Sequence, residues 1–121
     1  MTTAVEASLA RLLESPGVTG VALVDAVTGL TYGVAGDSEE AAGGAECAEL
    51  AALIVERLGQ AGAEGELESV ITTSARRHQV LLAVTRPAGD PLLLAAGMDR
   101  ERANLALATR SLGDRVAEVL A

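Results

Sequence analysis

The residues best suited to chemistry crowd together near the C-terminus. Gly97–Leu120 reads GMDRERANLALATRSLGDRVAEVL, with Asp99, Arg100, Glu101, Arg102 and Asn104 inside six positions. Two carboxylates beside two guanidinium groups could hold a charged ligand or move a proton. The same spacing also has a structural meaning. Asp99, placed before an apolar-periodic run, reads as a helix N-cap whose carboxylate accepts backbone N–H groups. Glu101 then complements the helix dipole in the first turn. Arg102 reads as a bridge toward Glu101 or Asp99, and Asn104 as a tie between the first full turn and a loop. The structural assignment takes precedence, and a contact cluster for a partner is the alternative.

The other reactive side chains are few. His78 is the sole histidine and opens a strand, and no recognised motif sets a Ser or Cys beside it. Cys47 is the sole cysteine, so no intrachain disulfide forms. It falls on the core face of a helix, where it serves as a small hydrophobe. One Cys and one His do not make an ordinary structural zinc site. Arg76 and Arg77 sit in a turn, where they are candidates to meet an anion or an acidic partner. GAEGELE lacks the terminal Lys-Ser/Thr of a P-loop, and no GxGxxG follows a strand. The expectation is a chain with no catalytic residue, no metal and no cofactor: not an enzyme.

Periodicity gives the elements that would position these groups. Thr3–Glu14 carries Val5, Leu9, Leu12 and Leu13 on one helical stripe, stopped by SPG at 15–17. Val18–Asp25 is a strand with an unbroken apolar centre, as expected when both faces are covered. DAVTG at 25–29 turns, with Asp25 bonding amides ahead of it and Gly29 at positive φ, into a second strand at 30–35. A loop over 36–45 leads to a long helix, Ala45–Ala61, capped at Gly62. Three antiparallel strands follow, at 66–74, 78–85 and 91–98, the last two joined by a turn at 86–90. A final helix, Arg100–Leu120, has Leu105, Ala108, Leu112, Val116 and Val119 as its stripe. The order is α-β-β-α-β-β-β-α. With both sheet faces apolar and three helices to share between them, a three-layer α-β-α sandwich in a single domain, 1–121, is expected.

Composition narrows the function. Half the residues are hydrophobic, and Tyr32 is the only aromatic, so the core is aliphatic. The net charge is −8, and nine of the 17 acids lie between Asp37 and Glu68, with Arg57 as the only base there. Nucleic-acid binding is disfavoured, because phosphate neutralisation needs a basic face and base stacking needs aromatics. The acidic stretch either solubilises the chain or steers a basic partner. The N-terminus lacks a basic n-region and no apolar run approaches ~18 residues, so no signal peptide and no membrane insertion are expected. The reading is cytoplasmic.

The middle helix is unusually apolar around its circumference. Advancing roughly 100° per residue, Leu50, Ala51, Ile54, Leu58 and Ala61 cluster with Cys47 on a core arc. Ala48, Ala52, Val55 and Gly59 form a second, small-residue face. Glu49, Glu56 and Gln60 lie opposite the core. The second face is expected to pack on its own copy in a two-fold dimer. Ser69 and Ile71 of the next strand join that interface through an open sheet edge.

Three stretches carry a family resemblance: the hairpin GVALVDAVTGLTYG, the strand pair LESVITTSARRHQVLLAV and the final MDRERANLALATRSL. In element order and style the chain resembles the roadblock/LC7 domain over nearly its whole length. The resemblance implies a profilin-like α+β fold: a five-stranded antiparallel sheet, the middle helix on one face and the terminal helices on the other. It also implies homo- or heterodimers through the middle helix and adjacent strand, and association with Ras-like small GTPases as regulator or scaffold. The all-arginine, alanine-rich composition points to a GC-rich bacterial genome. The expected function is a non-enzymatic dimeric signalling domain, with Glu49, Glu56, Arg76 and Arg77 as candidate partner contacts. The alternative is a small-molecule sensor of similar architecture.

Overall fold

A computed structural model describes residues 4–37, 43–63, 67–84 and 89–119. The expected 36–45 loop and 86–90 turn lie largely outside the described residues, as do Glu64, Glu66 and the last two residues. The elements run α1 (Ala4–Leu12), β1 (Val18–Asp25), β2 (Thr31–Gly36), α2 (Gly44–Gln60), β3 (Ser69–Thr73), β4 (Arg77–Val84), β5 (Leu92–Asp99) and α3 (Leu105–Val119). The order matches the expected α-β-β-α-β-β-β-α. The strands form one open sheet, β2-β1-β5-β4-β3, with every pairing antiparallel.

Alternation along the strands splits the core into two. Val21, Leu23, Val80, Leu82, Leu92 and Leu94 point to one face, where Leu9 and Leu12 of α1 and Ala108, Leu112 and Val116 of α3 cover them. Ala22, Val24, Leu81, Leu93 and Ala95 point to the other, where α2 brings Cys47 and Ala51. Residues one apart on β1 and β5 thus feed different clusters, and this accounts for the unbroken apolar run of each strand. The fold is the three-layer α+β sandwich.

Local chemistry fixes the ends of these elements. At the β1–β2 turn, Asp25 Oδ1 accepts the Val27 and Thr28 N–H groups at 2.8 and 2.9 Å, and the Tyr32 hydroxyl donates to Oδ2 at 3.3 Å. Gly29 follows at φ +77°, the left-handed conformation that glycine adopts without Cβ strain. Helix α2 ends in a Schellman motif: Gly62, at φ +76°, donates to Gly59 O while Ala63 donates to Leu58 O.

The start of α3 corrects the first expectation. The helix begins at Leu105, and its cap is Asn104, whose Oδ1 accepts the Leu107 N–H at 3.2 Å. Asp99 instead ends β5. Its Oδ1 accepts the Glu101 N–H at 3.0 Å, and its carbonyl accepts those of Arg102 and Ala103. DRERA is therefore a turn closed on Asp99, one step before the helix.

Candidate interaction surface

The two faces of the sheet are unequally covered. Helices α1 and α3 lie on one face and touch each other, while α2 packs alone on β1 and β5. Five strands span about 19 Å between the outermost at roughly 4.8 Å each, and a helix is about 10 Å wide. One helix therefore shields about two strands, and among the described residues no second helix lies on the α2 side toward β4 and β3.

This geometry corrects the core arc read from the helical wheel. Cys47 and Ala51 are buried and Ile54 is half-buried, as their angle requires. Leu50 and Leu58, on the same arc, are 40% and 38% exposed, and Ala61 is exposed too. Angle gives the direction a side chain faces, and depth depends on whether a strand lies beneath it. Leu53 and Val55 are also exposed, at 47% and 53%. Four large aliphatic side chains on one helix thus meet solvent, more than scattered surface exposure accounts for.

The small-residue face lies where it could receive a partner, with one exception. Ala48 is buried within the chain, whereas Ala52, Val55 and Gly59 are exposed. Ala52 and Val55 form a wall of a groove of about 550 Å³, whose other sides include Leu67, Ala83 and Leu93. A second groove of about 480 Å³, reaching Ala45, Ala48 and Glu49, shares Val27 and Ala52 with it. Gly59 lies beyond both, with open space where a Cβ would stand.

Ser69 and Ile71 are exposed on β3, the last strand of the sheet. Opposite them on β4 stand Leu82 and Val80, whose side chains belong to the α1–α3 core. They therefore share the face opposite α2, and it is Val70, opposite Leu81, that lies on the α2 side.

The charged candidates separate as well. Glu49 and Glu56 are exposed on α2 beside Glu46, with Arg57 the one base on that helix. Arg76 and Arg77 sit at the far end of the sheet, lining a polar pocket of about 450 Å³ with Thr19, Asp99 and Glu101. There the Arg100 guanidinium donates to Ser74 O at 3.1 Å and the Arg100 N–H to Arg76 O, so the β3–β4 turn is tied to the end of β5.

His78 is buried, and its Nδ1 shares a 2.8 Å hydrogen bond with Thr73 Oγ1 across β3–β4. Sequence spacing missed this pair, because only strand register sets the two residues opposite one another. Burial pushes the Cys47 thiol above its ordinary value, with Glu46 adding to the effect, so the thiolate is disfavoured. Among the described residues no group of three or more His, Cys, Asp or Glu side chains could hold a metal ion. No described helix is long and apolar enough to cross a membrane.

An open five-stranded antiparallel sheet with two terminal helices on one face and a single central helix on the other is the roadblock/LC7 fold. Myxococcus xanthus MglB superposes with a TM-score of 0.75 at 18% identity, over 96% of this chain and 86% of that one. A roadblock/LC7 domain from Streptomyces avermitilis matches with a TM-score of 0.65 at 19% identity, over 95% and 90%. The gliding protein MglB of Thermus thermophilus matches with 0.72 at 15%, over 97% and 88%. At sequence level, no family model and no curated protein matches.

Proposed function

We propose that the chain is a non-enzymatic regulatory and scaffold domain that acts as a dimer and binds a Ras-like small GTPase. The observation that carries the reading is the half-covered α2 face: an apolar helix flank, a groove beside it, and outer strands that no second helix covers among the described residues. A second α2 from another copy would complete that layer. The roadblock fold supports the class of function, and the GTPase follows from the family resemblance. In this reading Glu49 and Glu56 of the two copies form an acidic rim that draws in the basic surface of the partner.

The test starts with solution mass by light scattering at two concentrations, followed by titration with a candidate GTPase in both nucleotide states. Ala52→Glu changes an exposed side chain and should leave the monomer folded. It buries an unpaired charge in the dimer and should weaken association by about two orders of magnitude. A variant as dimeric as the parent at micromolar concentration would refute this packing. The groove also favours a second reading, a sensor for a small apolar molecule. A ligand panel that raises the melting temperature of a parent found monomeric by light scattering, and raises that of Ala52→Glu less because the carboxylate enters the groove wall, would support it over the dimer.

A further inference from the structure

We infer that the polar pocket at the arginine-bearing end of the sheet binds a small zwitterion, and that its charges select an acidic α-amino acid. The site is separate from the α2 groove and depends on neither the dimer nor the GTPase.

The argument starts from strand parity. Leu81 of β4 and Leu93 and Ala95 of β5 point to the α2 side of the sheet. Side chains alternate along a strand, so Arg77 and Asp99, of the same parity, share that side. They are also Cα partners across β4–β5. Between Ala95 and Asp99 the row passes through Gly97, which carries no side chain. Helix α2 enters over the opposite end of the sheet, where Gly44 and Ala45 abut Gly29. The ends of β4 and β5 at Arg77 and Asp99 therefore stay open, and with Thr19, Arg76 and Glu101 they line the pocket of about 450 Å³. Its size is that of a small-ligand site.

The walls carry opposite charges on a fixed frame. The β3–β4 turn brings Arg76 and Arg77, and the turn after β5 brings Asp99 and Glu101. Arg100 joins the two turns, its guanidinium donating to Ser74 O and its N–H to Arg76 O. The Ser74 N–H donates to Arg77 O at 2.9 Å, and the Asp99 N–H to Gly17 O at 2.8 Å. The backbone is thus committed while the ionic groups are not. Among the described residues the Arg76 and Glu101 side chains form no hydrogen bond or ion pair, and the Asp99 carboxylate accepts only the Glu101 N–H. A simple anion or cation entering between such walls is drawn to one and repelled by the other. A zwitterion satisfies both, its carboxylate on the guanidinium groups and its ammonium on Asp99 and Glu101, through charge-assisted hydrogen bonds. The sign left over selects the side chain of the ligand. Arg100 and Arg102 flank the pocket, and Asp37 is tied to the same corner by its N–H on Thr19 O. Arginines outnumber acids there, so a zwitterion with one extra carboxylate is favoured over a neutral one, and a basic one is disfavoured.

Amide NMR titration near neutral pH and at fixed ionic strength tests the site with L-glutamate, glutarate and L-lysine as probes. Glutarate is glutamate without its ammonium group. L-Glutamate should saturate and move the amides of Arg77, Asp99 and Glu101, with glutarate and L-lysine each at least about ten-fold weaker. Arg76→Ala removes an exposed side chain that holds nothing in the fold, so it should weaken glutamate about ten-fold and leave the melting temperature of the unliganded chain unchanged. Glu101→Gln keeps the shape and removes the charge, so it should erase the preference for glutamate over glutarate, which a purely structural role would not do. Glycyl-glutamate carries the same groups on a peptide end. Its saturating at lower concentration than glutamate would keep the zwitterion site and overturn a free amino acid as its ligand. Glutarate binding as tightly as glutamate to the parent, an affinity unchanged by Arg76→Ala, or no saturation by roughly 20 mM overturns the site.

Discussion

Asp25 is the clearest case of one side chain holding a turn. The Thr28 N–H lowers its carboxyl below the ordinary value of 3.8; burial opposes this, and the Val27 N–H and Tyr32 hydroxyl add to the lowering. A carboxylate depressed in the folded state contributes stability above its unfolded value, and loses it as pH falls through the folded one. The parent should therefore exceed Asp25→Asn in melting temperature by a margin that shrinks between about pH 6 and about pH 3. A margin that stays constant across that range would mean the carboxylate charge contributes nothing. Asn104 makes a second prediction at this scale. Asn104→Ala removes the α3 cap and should cost about 1 kcal/mol in urea unfolding, while Asn104→Asp should be close to neutral. Asp99→Ala, by contrast, should leave the helical signal of α3 intact, because Asp99 closes the preceding turn.

Helix α2 carries the argument for partners. Its N-terminal half is anchored through Cys47 and Ala51, and the rest presents Leu53, Val55 and Leu58 to solvent. Charge reversal at Glu49 and Glu56 together should weaken GTPase binding more at about 50 mM salt than at about 300 mM, since exposed charges are screened. An unchanged dissociation constant at low salt would remove the acidic rim from the model of binding. The wheel identified the apolar breadth of this helix correctly, because breadth is a property of sequence alone. It misjudged Leu50 and Leu58 because coverage depends on how many strands one helix can span. The cap of α3 was misread for a related reason: Asp99 and Asn104 are both competent caps, and only the extra turn between β5 and α3 decides which one serves.

For the molecule as a whole, the element order and the two aliphatic clusters were legible from periodicity and turn residues. The β1–β2 hairpin and the run β3–β4–β5 were legible as well, whereas the β1–β5 pairing and the residue register were not, and with the register went the Thr73–His78 pair and the placement of Ser69 and Ile71 on the face opposite α2. These depend on register, which hydrophobic spacing leaves undetermined when both faces of a strand are apolar. The two edges of the sheet also differ in kind: β3 is regular and uncharged, while β2 is bulged and ends in a left-handed glycine. A dimer that paired through β3 alone would be closed, with no sticky end. Raising the concentration should therefore bring the mass to twice the monomer and no further, and a mass that kept climbing in light scattering would show that β2 pairs too.

At the Schellman-capped end of α2 every residue from Val55 to Ala63 is exposed, so in a lone copy its last two turns are held mainly by local hydrogen bonds. Those turns should fray first, and their amide hydrogen exchange should slow as protein concentration rises while that of the first turns does not. A freshly made copy that has not met its mate would then expose a loose apolar end to proteases and chaperones. Survival in the cell would depend on abundance, and an orphan copy would be marked for removal by the same surface that pairing hides.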